Sequence, residues 1–167
     1  MTTANITFQT DFLDAMKDRV LIGDGAMGTQ LQAFDLDVDK DFLGLEGCNE
    51  ILNITRPDVV AQIHRSYFEA GADLVETNTF GCNLPNLADY GIAERCRELA
   101  YQGVHIARTV ADELGPGRDG LRRFVLGSMG PGTKLPSLGH ASFEELREYY
   151  SEAAVGMIEG GAGRYSH

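Results

Sequence analysis

The sequence predicts an α/β fold in which buried parallel strands alternate with helices. Three short segments, residues 19–23, 73–77 and 124–128, have cores of Val, Leu or Ile without strict alternation, as strands buried on both faces do. Longer segments with apolar residues at helical spacing lie between and after them. Because this order requires crossover connections, we expect one parallel sheet covered by helices.

The helices are defined by apolar periodicity and by their end signals. They are predicted at residues 56–70, 93–114 and 143–159, and a further helix near residues 11–17 precedes the first strand. Thr55 is expected to cap the first of the three, which Gly71 ends. Ser142 and Glu145 form a capping box for the last. Long strand-to-helix loops remain at residues 24–53, 78–92 and 129–141, where α/β proteins build their sites.

Length and composition place the chain among ordinary globular domains and exclude several classes of partner. It has 167 residues, 43% of them apolar and 23% charged, with a net charge of −11. This charge argues against nucleic acid and against anionic membrane surfaces, because both attract Lys and Arg. No apolar run approaches a bilayer span, and neither a secretory signal nor a domain linker is expected. A small molecule or a protein is the expected partner.

The chain has three cysteines, Cys48, Cys82 and Cys96, and no CxxC pair. An odd and sparse set of thiols is typical of a reducing compartment, so the expected location is the cytoplasm. Cys96 falls in a helical apolar stripe and is expected to be an inert, buried thiol. Two loop cysteines without paired spacing are a poor zinc signal, so no metal site is predicted from them.

A glycine-rich segment, GDGAMG at residues 23–28, follows the first predicted strand. Glycines let the backbone approach a ligand closely, exposed N–H groups can receive a carboxylate, and Asp24 can receive an ammonium group. Together these groups suit an amino acid. The alternative is a turn in which Asp24 accepts hydrogen bonds from nearby N–H groups, and the residues alone leave both interpretations open.

Polar residues also follow the second and third predicted strands. Glu76 and Asn78 stand at the end of the second, where the side chains of parallel strands face a site. A structural network that ties strand to loop would explain them equally well. Ser128 opens a compact Gly/Pro turn at residues 128–132, for which a plain turn is the better interpretation on these residues alone.

Four segments in order carry a resemblance to a known family. Residues 21–29 (LIGDGAMGT), 47–53 (GCNEILN), 76–83 (ETNTFGCN) and 127–134 (GSMGPGTK) resemble the homocysteine-binding barrel of cobalamin-dependent methionine synthases, in the homocysteine S-methyltransferase family. The match covers roughly residues 19–162. Betaine- and S-methylmethionine-dependent homocysteine methyltransferases share the first segment, but the second and fourth look closer to the cobalamin-dependent enzymes.

The resemblance implies a (β/α)8 TIM barrel, of which this chain would form about the first three βα units. Such a barrel binds homocysteine and zinc at its C-terminal face, and the zinc-bound thiolate takes a methyl group from methylcobalamin held on other domains. Asp24 would accept the amino group of homocysteine, and backbone N–H groups of Gly25, Ala26 and Met27 would hold its carboxylate. The mouth would be lined by Glu76, Asn78 and Ser128.

The chain also departs from the family it resembles. The family's zinc ligands are three cysteines in the second half of the barrel, one alone and two adjacent, and this chain has neither the adjacent pair nor that half. We therefore expect no catalytic or metal-binding residue here, and no zinc or cobalamin bound by the chain alone. Residues 1–18 would be a helical extension, 19–162 the first part of the barrel, and 163–167 a divergent tail.

Two hypotheses of function follow. The first is an N-terminal fragment of a homocysteine S-methyltransferase of methionine synthesis, inactive alone. Its partners would be homocysteine, the missing barrel half, and folate and cobalamin domains. The second is a non-catalytic half barrel that associates with itself or with another chain. Association would cover the unpaired edges of an open three-strand sheet.

Overall fold

The computed structural model describes residues 11–120 and 122–163, and these ranges contain seven α-helices and two strands. The helices are α1 (Asp11–Asp18), α2 (Met27–Leu31), α3 (Leu52–Thr55), α4 (Pro57–Glu69), α5 (Leu84–Asp89), α6 (Cys96–Leu114) and α7 (Phe143–Gly160). The strands are β1 (Leu74–Glu76) and β2 (Phe124–Leu126). No helix in these ranges is both long and apolar enough to cross a membrane.

β1 and β2 are parallel, with Leu74 opposite Phe124 and Glu76 opposite Leu126. β1 lies at the centre of the predicted segment 73–77 and β2 at the start of 124–128, so both strands are confirmed, although each is shorter than predicted. Val75 and Val125, the middle residues, are buried in one apolar cluster with residues of α6 and α7. The two strands therefore turn one face toward the helical layer.

The prediction of a strand at residues 19–23 is wrong. The backbone pairing of this segment with β1 rests on one carbonyl, that of Ile22, which accepts the N–H groups of Asp73 at 2.7 Å and Leu74 at 3.3 Å. A strand buried on both faces needs cover on both. In the described part of the chain nothing provides it, because Val20 is 85% exposed. The segment is therefore an extended edge beside β1.

The predicted helices are confirmed, with shifted ends, as α1, α4, α6 and α7. α6 begins at Cys96 because the three residues before it form a 3-10 turn. The Thr55 cap is wrong: its hydroxyl donates to the carbonyls of Asp41 at 2.5 Å and Ile51 at 3.2 Å, and Arg56 occupies the N-cap position of α4. The capping box of Ser142 and Glu145 is present as predicted.

α6 and α7 approach closely because glycines of α7 face the backbone of α6. A Cβ atom on Gly156 would lie 2.5 Å from the Arg97 carbonyl oxygen, and one on Gly160 would lie 2.5 Å from that of Tyr101. Only glycine permits this spacing of the two helices. The molecule is thus a mixed α/β structure in which helices pack on a small parallel sheet.

Candidate functional site

A cavity of about 500 Å³ lies at the carboxyl ends of β1 and β2. Its walls come from the glycine-rich segment, from the loops after both strands and from the turn before α3. All the residues predicted to contact substrate line it, namely Asp24, Gly25, Ala26, Met27, Glu76, Asn78 and Ser128. The fold thus brings three separate segments of the sequence to one place.

The carboxylate of Asp24 is held against β1. Both of its oxygens accept the N–H group of Glu76, each at 3.1 Å, so the turn-like role that the sequence left open is present. Burial raises the pKa of Asp24 to about 6; the Glu76 N–H group lowers it, and the Glu76 charge raises it. Ionised Asp24 is therefore costly in the empty cavity, and a cation beside it would offset that cost.

Ser128 connects the ends of the two strands. Its hydroxyl donates to Oε2 of Glu76 at 3.0 Å, and its N–H group donates to Oγ1 of Thr77 at 3.0 Å. The hydroxyl of Thr79 donates to the Ser128 carbonyl at 2.8 Å. Ser128 is thus held through three of its own atoms, which fixes its hydroxyl at the cavity and makes it more than a plain turn residue.

Asn78 is buried and links the loops around the cavity. Its amide donates to the Asn49 carbonyl at 2.8 Å and to Oδ1 of Asn53 at 3.0 Å. The Asn53 amide donates back to the Asn78 carbonyl at 2.8 Å and to that of Leu99 at 3.1 Å. Both donors of the Asn78 amide are used, so only its Oδ1 is available to a ligand. The structural network that was the alternative for this residue is therefore present.

Four further side chains at the cavity were not singled out from the sequence: Asn49, Glu50, Thr77 and Phe80. Glu50 accepts the Gly81 N–H group at 2.7 Å, and burial raises its pKa. The Phe80 ring is 60% exposed and lies where Gly130 has no side chain to obstruct it. The sequence signal that could have identified these residues was their position inside the second and third segments that resemble the family.

The cavity is acidic, and the first residue of α2 lies in its wall. Asp24, Glu50 and Glu76 contribute carboxyl groups, and no Lys, Arg or His of the described residues lines it. Met27 begins α2, so its N–H group has no partner within the helix. A ligand that carries an ammonium group and a carboxylate complements both features.

The three cysteines do not fit a zinc site. All are buried, as expected for Cys96. Burial raises the pKa of Cys48 and of Cys96 to about 11 and that of Cys82 well above its usual value, whereas zinc binds thiolates. Across residues 11–120 and 122–163, no group of three His, Cys, Asp or Glu side chains is arranged to hold a metal ion. These residues offer zinc no set of ligands.

The fold and the cavity define an α/β protein with an acidic cavity at the carboxyl ends of two parallel strands. The family model described as homocysteine S-methyltransferase matches residues 21–164. The chain belongs to this family.

Solved structures of homocysteine methyltransferase MmuM from Escherichia coli share the fold. The metallated form superposes with a TM-score of 0.71 at 22% identity, covering 90% of this chain and 54% of that one. The apo form gives a TM-score of 0.63 at the same identity and covers 50% of that chain. These matches show that the chain shares its α/β fold with the part of these structures that it covers.

Two relatives are considerably closer in sequence. The methionine synthase of Mycobacterium tuberculosis (strain ATCC 25618 / H37Rv) is 67% identical over 156 residues, and that of Mycobacterium leprae (strain TN) is 63% identical over 155 residues. Each alignment covers 93% of this chain and 13% of the relative. The chain thus spans a small part of the length of the proteins it matches.

Proposed function

We propose that this chain forms the amino-acid-binding part of a homocysteine S-methyltransferase of the methionine synthase type. The observation that carries the proposal is the cavity, which is lined by carboxyl groups from three family segments and by Met27, whose N–H group has no partner within its helix. The 67% identity to a methionine synthase supports the same assignment. In the intact protein the segment 19–162 would supply about the first three βα units of a TIM barrel.

In this proposal Asp24 receives the ammonium group of homocysteine, and the N–H groups of residues 25–27 hold its carboxylate. Glu76 and Ser128 form the opposite wall, with Asn78 offering a single acceptor. Because Asp24 titrates near pH 6 in the empty cavity, protonation removes the charge that the ammonium group requires. Homocysteine affinity should therefore fall as the pH drops below about 6.

The chain alone is proposed to bind and orient substrate without transferring a methyl group. In the intact enzyme zinc would supply the homocysteine thiolate and methylcobalamin the methyl group, both held outside this chain. Its partners would then be the second half of the barrel and the folate and cobalamin domains, with the whole in the cytoplasm. The acidic surface of the chain, with a net charge of −11, supports the exclusion of nucleic acid and anionic membranes as partners.

Isothermal titration calorimetry with L-homocysteine tests the proposal. Asp24→Asn keeps the shape of the side chain and removes its charge, which should weaken binding by about 1.5–3 kcal/mol, or roughly 10- to 150-fold. Asp39→Asn, at an exposed loop position, is the matched control and should bind as the wild type does. Unchanged affinity in Asp24→Asn would show that Asp24 is only a turn residue, and a wild-type chain without affinity would contradict the function.

The second candidate is a non-catalytic half barrel that associates with itself or with another chain. It is favoured by the exposure of Val20 (85%) and Ile22 (48%) beside β1, since each large apolar side chain left in water costs about 1.5–3 kcal/mol. Analytical ultracentrifugation separates the candidates. A defined dimer that Val20→Lys dissociates, with Val38→Lys as the exposed control, supports the half barrel; heterogeneous aggregation supports the fragment.

A further inference from the structure

Tyr67 of α4 contacts the glycine-rich segment but does not line the cavity. Its hydroxyl donates to the Ala26 carbonyl at 3.3 Å, and a Cβ atom on Gly25 would lie 2.9 Å from the same hydroxyl oxygen. The Tyr67 ring packs against both apolar clusters of the core and is not part of the cavity lining. Its hydroxyl therefore holds the segment without standing where a ligand would bind.

The geometry of the peptide bond relates the contact between Tyr67 and Ala26 to the direction of the Met27 N–H group. In a trans peptide the C=O of Ala26 and the N–H of Met27 point in opposite directions. Because the carbonyl accepts the Tyr67 hydroxyl, the Met27 N–H group points away from that hydroxyl, and both Ala26 and Met27 line the cavity. That N–H group has no partner within α2, since Met27 is the first residue of the helix.

We propose that Tyr67 is a positioning residue, whose hydroxyl fixes the Ala26–Met27 peptide so that the Met27 N–H group faces the carboxylate of the bound amino acid. The identity of the ligand rests on the proposed function, whereas the orientation of the peptide does not. Gly25 is required for the same reason, because any side chain there would displace the Tyr67 hydroxyl.

Two ligands test the role of Tyr67 in binding. L-homocysteine carries the carboxylate, and 3-mercaptopropylamine is the same molecule without it. By calorimetry, Tyr67→Phe should lose homocysteine affinity by roughly three- to tenfold, the value of one neutral hydrogen bond, and should bind 3-mercaptopropylamine as the wild type does. Equal losses for the two ligands, or no loss for either, would overturn the proposal. Tyr101→Phe is the control, since the Tyr101 ring stacks on His105 of α6, and it should change neither affinity.

Hydrogen exchange without ligand separates this inference from the proposed function. In Tyr67→Phe the backbone amides of residues 25–27 should exchange at least roughly threefold faster than in the wild type, because a local restraint is lost. Tyr101→Phe should exchange as the wild type does at these amides, and unchanged exchange in Tyr67→Phe would overturn the positioning role. If the wild type bound neither ligand while exchange still depended on Tyr67, the proposed function would fail and the orientation of the peptide by Tyr67 would stand.

Discussion

The negative charge of Asp24 that the proposed ligand requires also lowers the stability of the empty chain. The pKa of Asp24 in the folded chain is about 6, against an ordinary value of 3.8, mainly because burial disfavours the charged form. Between these two values the folded chain binds more protons than the unfolded chain. The free energy of unfolding therefore falls as the pH rises through this window and stays lower above it. Ionised Asp24 thus destabilises the empty protein at neutral pH.

Asp24→Asn should accordingly stabilise the empty chain while it weakens homocysteine binding. We expect a gain of about 1 kcal/mol near pH 7.5, a figure reduced for solvent screening because the side chain is half-buried. The gain should shrink toward zero at about pH 3, below both pKa values, where the wild-type carboxyl is largely protonated in both states. Urea unfolding at the two pH values measures it, and a gain of equal size at both would contradict the assigned cause.

Not every residue of the site could be chosen from the sequence. Asp24, Glu76 and Ser128 could, because each stands at the end of an apolar segment that resembles a strand, where the loops of parallel sheets meet. Glu50 could not, because it enters the cavity from the turn before α3. Its position depends on the N–H group of Gly81, 31 residues further along the chain. A local pattern contains no information about such a contact.

Among the elements, helices were easier to predict than the sheet. Apolar residues at helical spacing identify α4, α6 and α7, since the residues that form the buried face of a helix recur within its own sequence. Residues 19–23 have the composition of a strand, but composition does not specify a pairing partner. The Thr55 hydroxyl was misassigned because its acceptor, the Asp41 carbonyl, comes from a loop 14 residues away.

The close contact between α6 and α7 predicts that replacing Gly156 lowers the stability of the chain. Gly156→Ala should lower the free energy of unfolding by about 1–3 kcal/mol, because the new methyl group must displace the Arg97 backbone carbonyl. Ser151→Ala, at an exposed position of the same helix, should be neutral or slightly stabilising. Urea unfolding followed by circular dichroism compares them. A Gly156→Ala variant as stable as the wild type would mean that the helices separate at little cost.

At the scale of the molecule, residues 11–120 and 122–163 form a cavity at the ends of two strands and contain no group of three side chains arranged to hold a metal ion. The chain matches 54% of the length of metallated MmuM and 13% of the mycobacterial methionine synthases. The described residues contribute two parallel strands and the cavity at their ends. The family resemblance of the sequence was therefore sufficient to locate the cavity, whereas closure of a barrel depends on strand partners that no local segment specifies.

The purified chain should not methylate homocysteine with any donor, methylcobalamin included. A catalytic zinc site needs three protein ligands and an open position, and the cysteine thiols of this chain are buried in its core. Transfer of a labelled methyl group, compared with a metal-free blank, measures the activity, and turnover above the blank would contradict us.

Zinc should bind to the chain weakly and without fixed stoichiometry. A one-to-one site with tetrahedral sulfur ligation in X-ray absorption spectra would be evidence against this.

The hydrogen bonds of Asn53 join parts of the chain that are distant in sequence. Asn53 reaches the carbonyl of Asn78, 25 residues away, and that of Leu99, 46 residues away. Chain entropy opposes the closure of such loops until α6 and β1 have already met. We therefore expect the wall of the cavity to be among the last parts of the molecule to fold and among the first to open. Local unfolding would then expose the cavity while the helical layer is still intact.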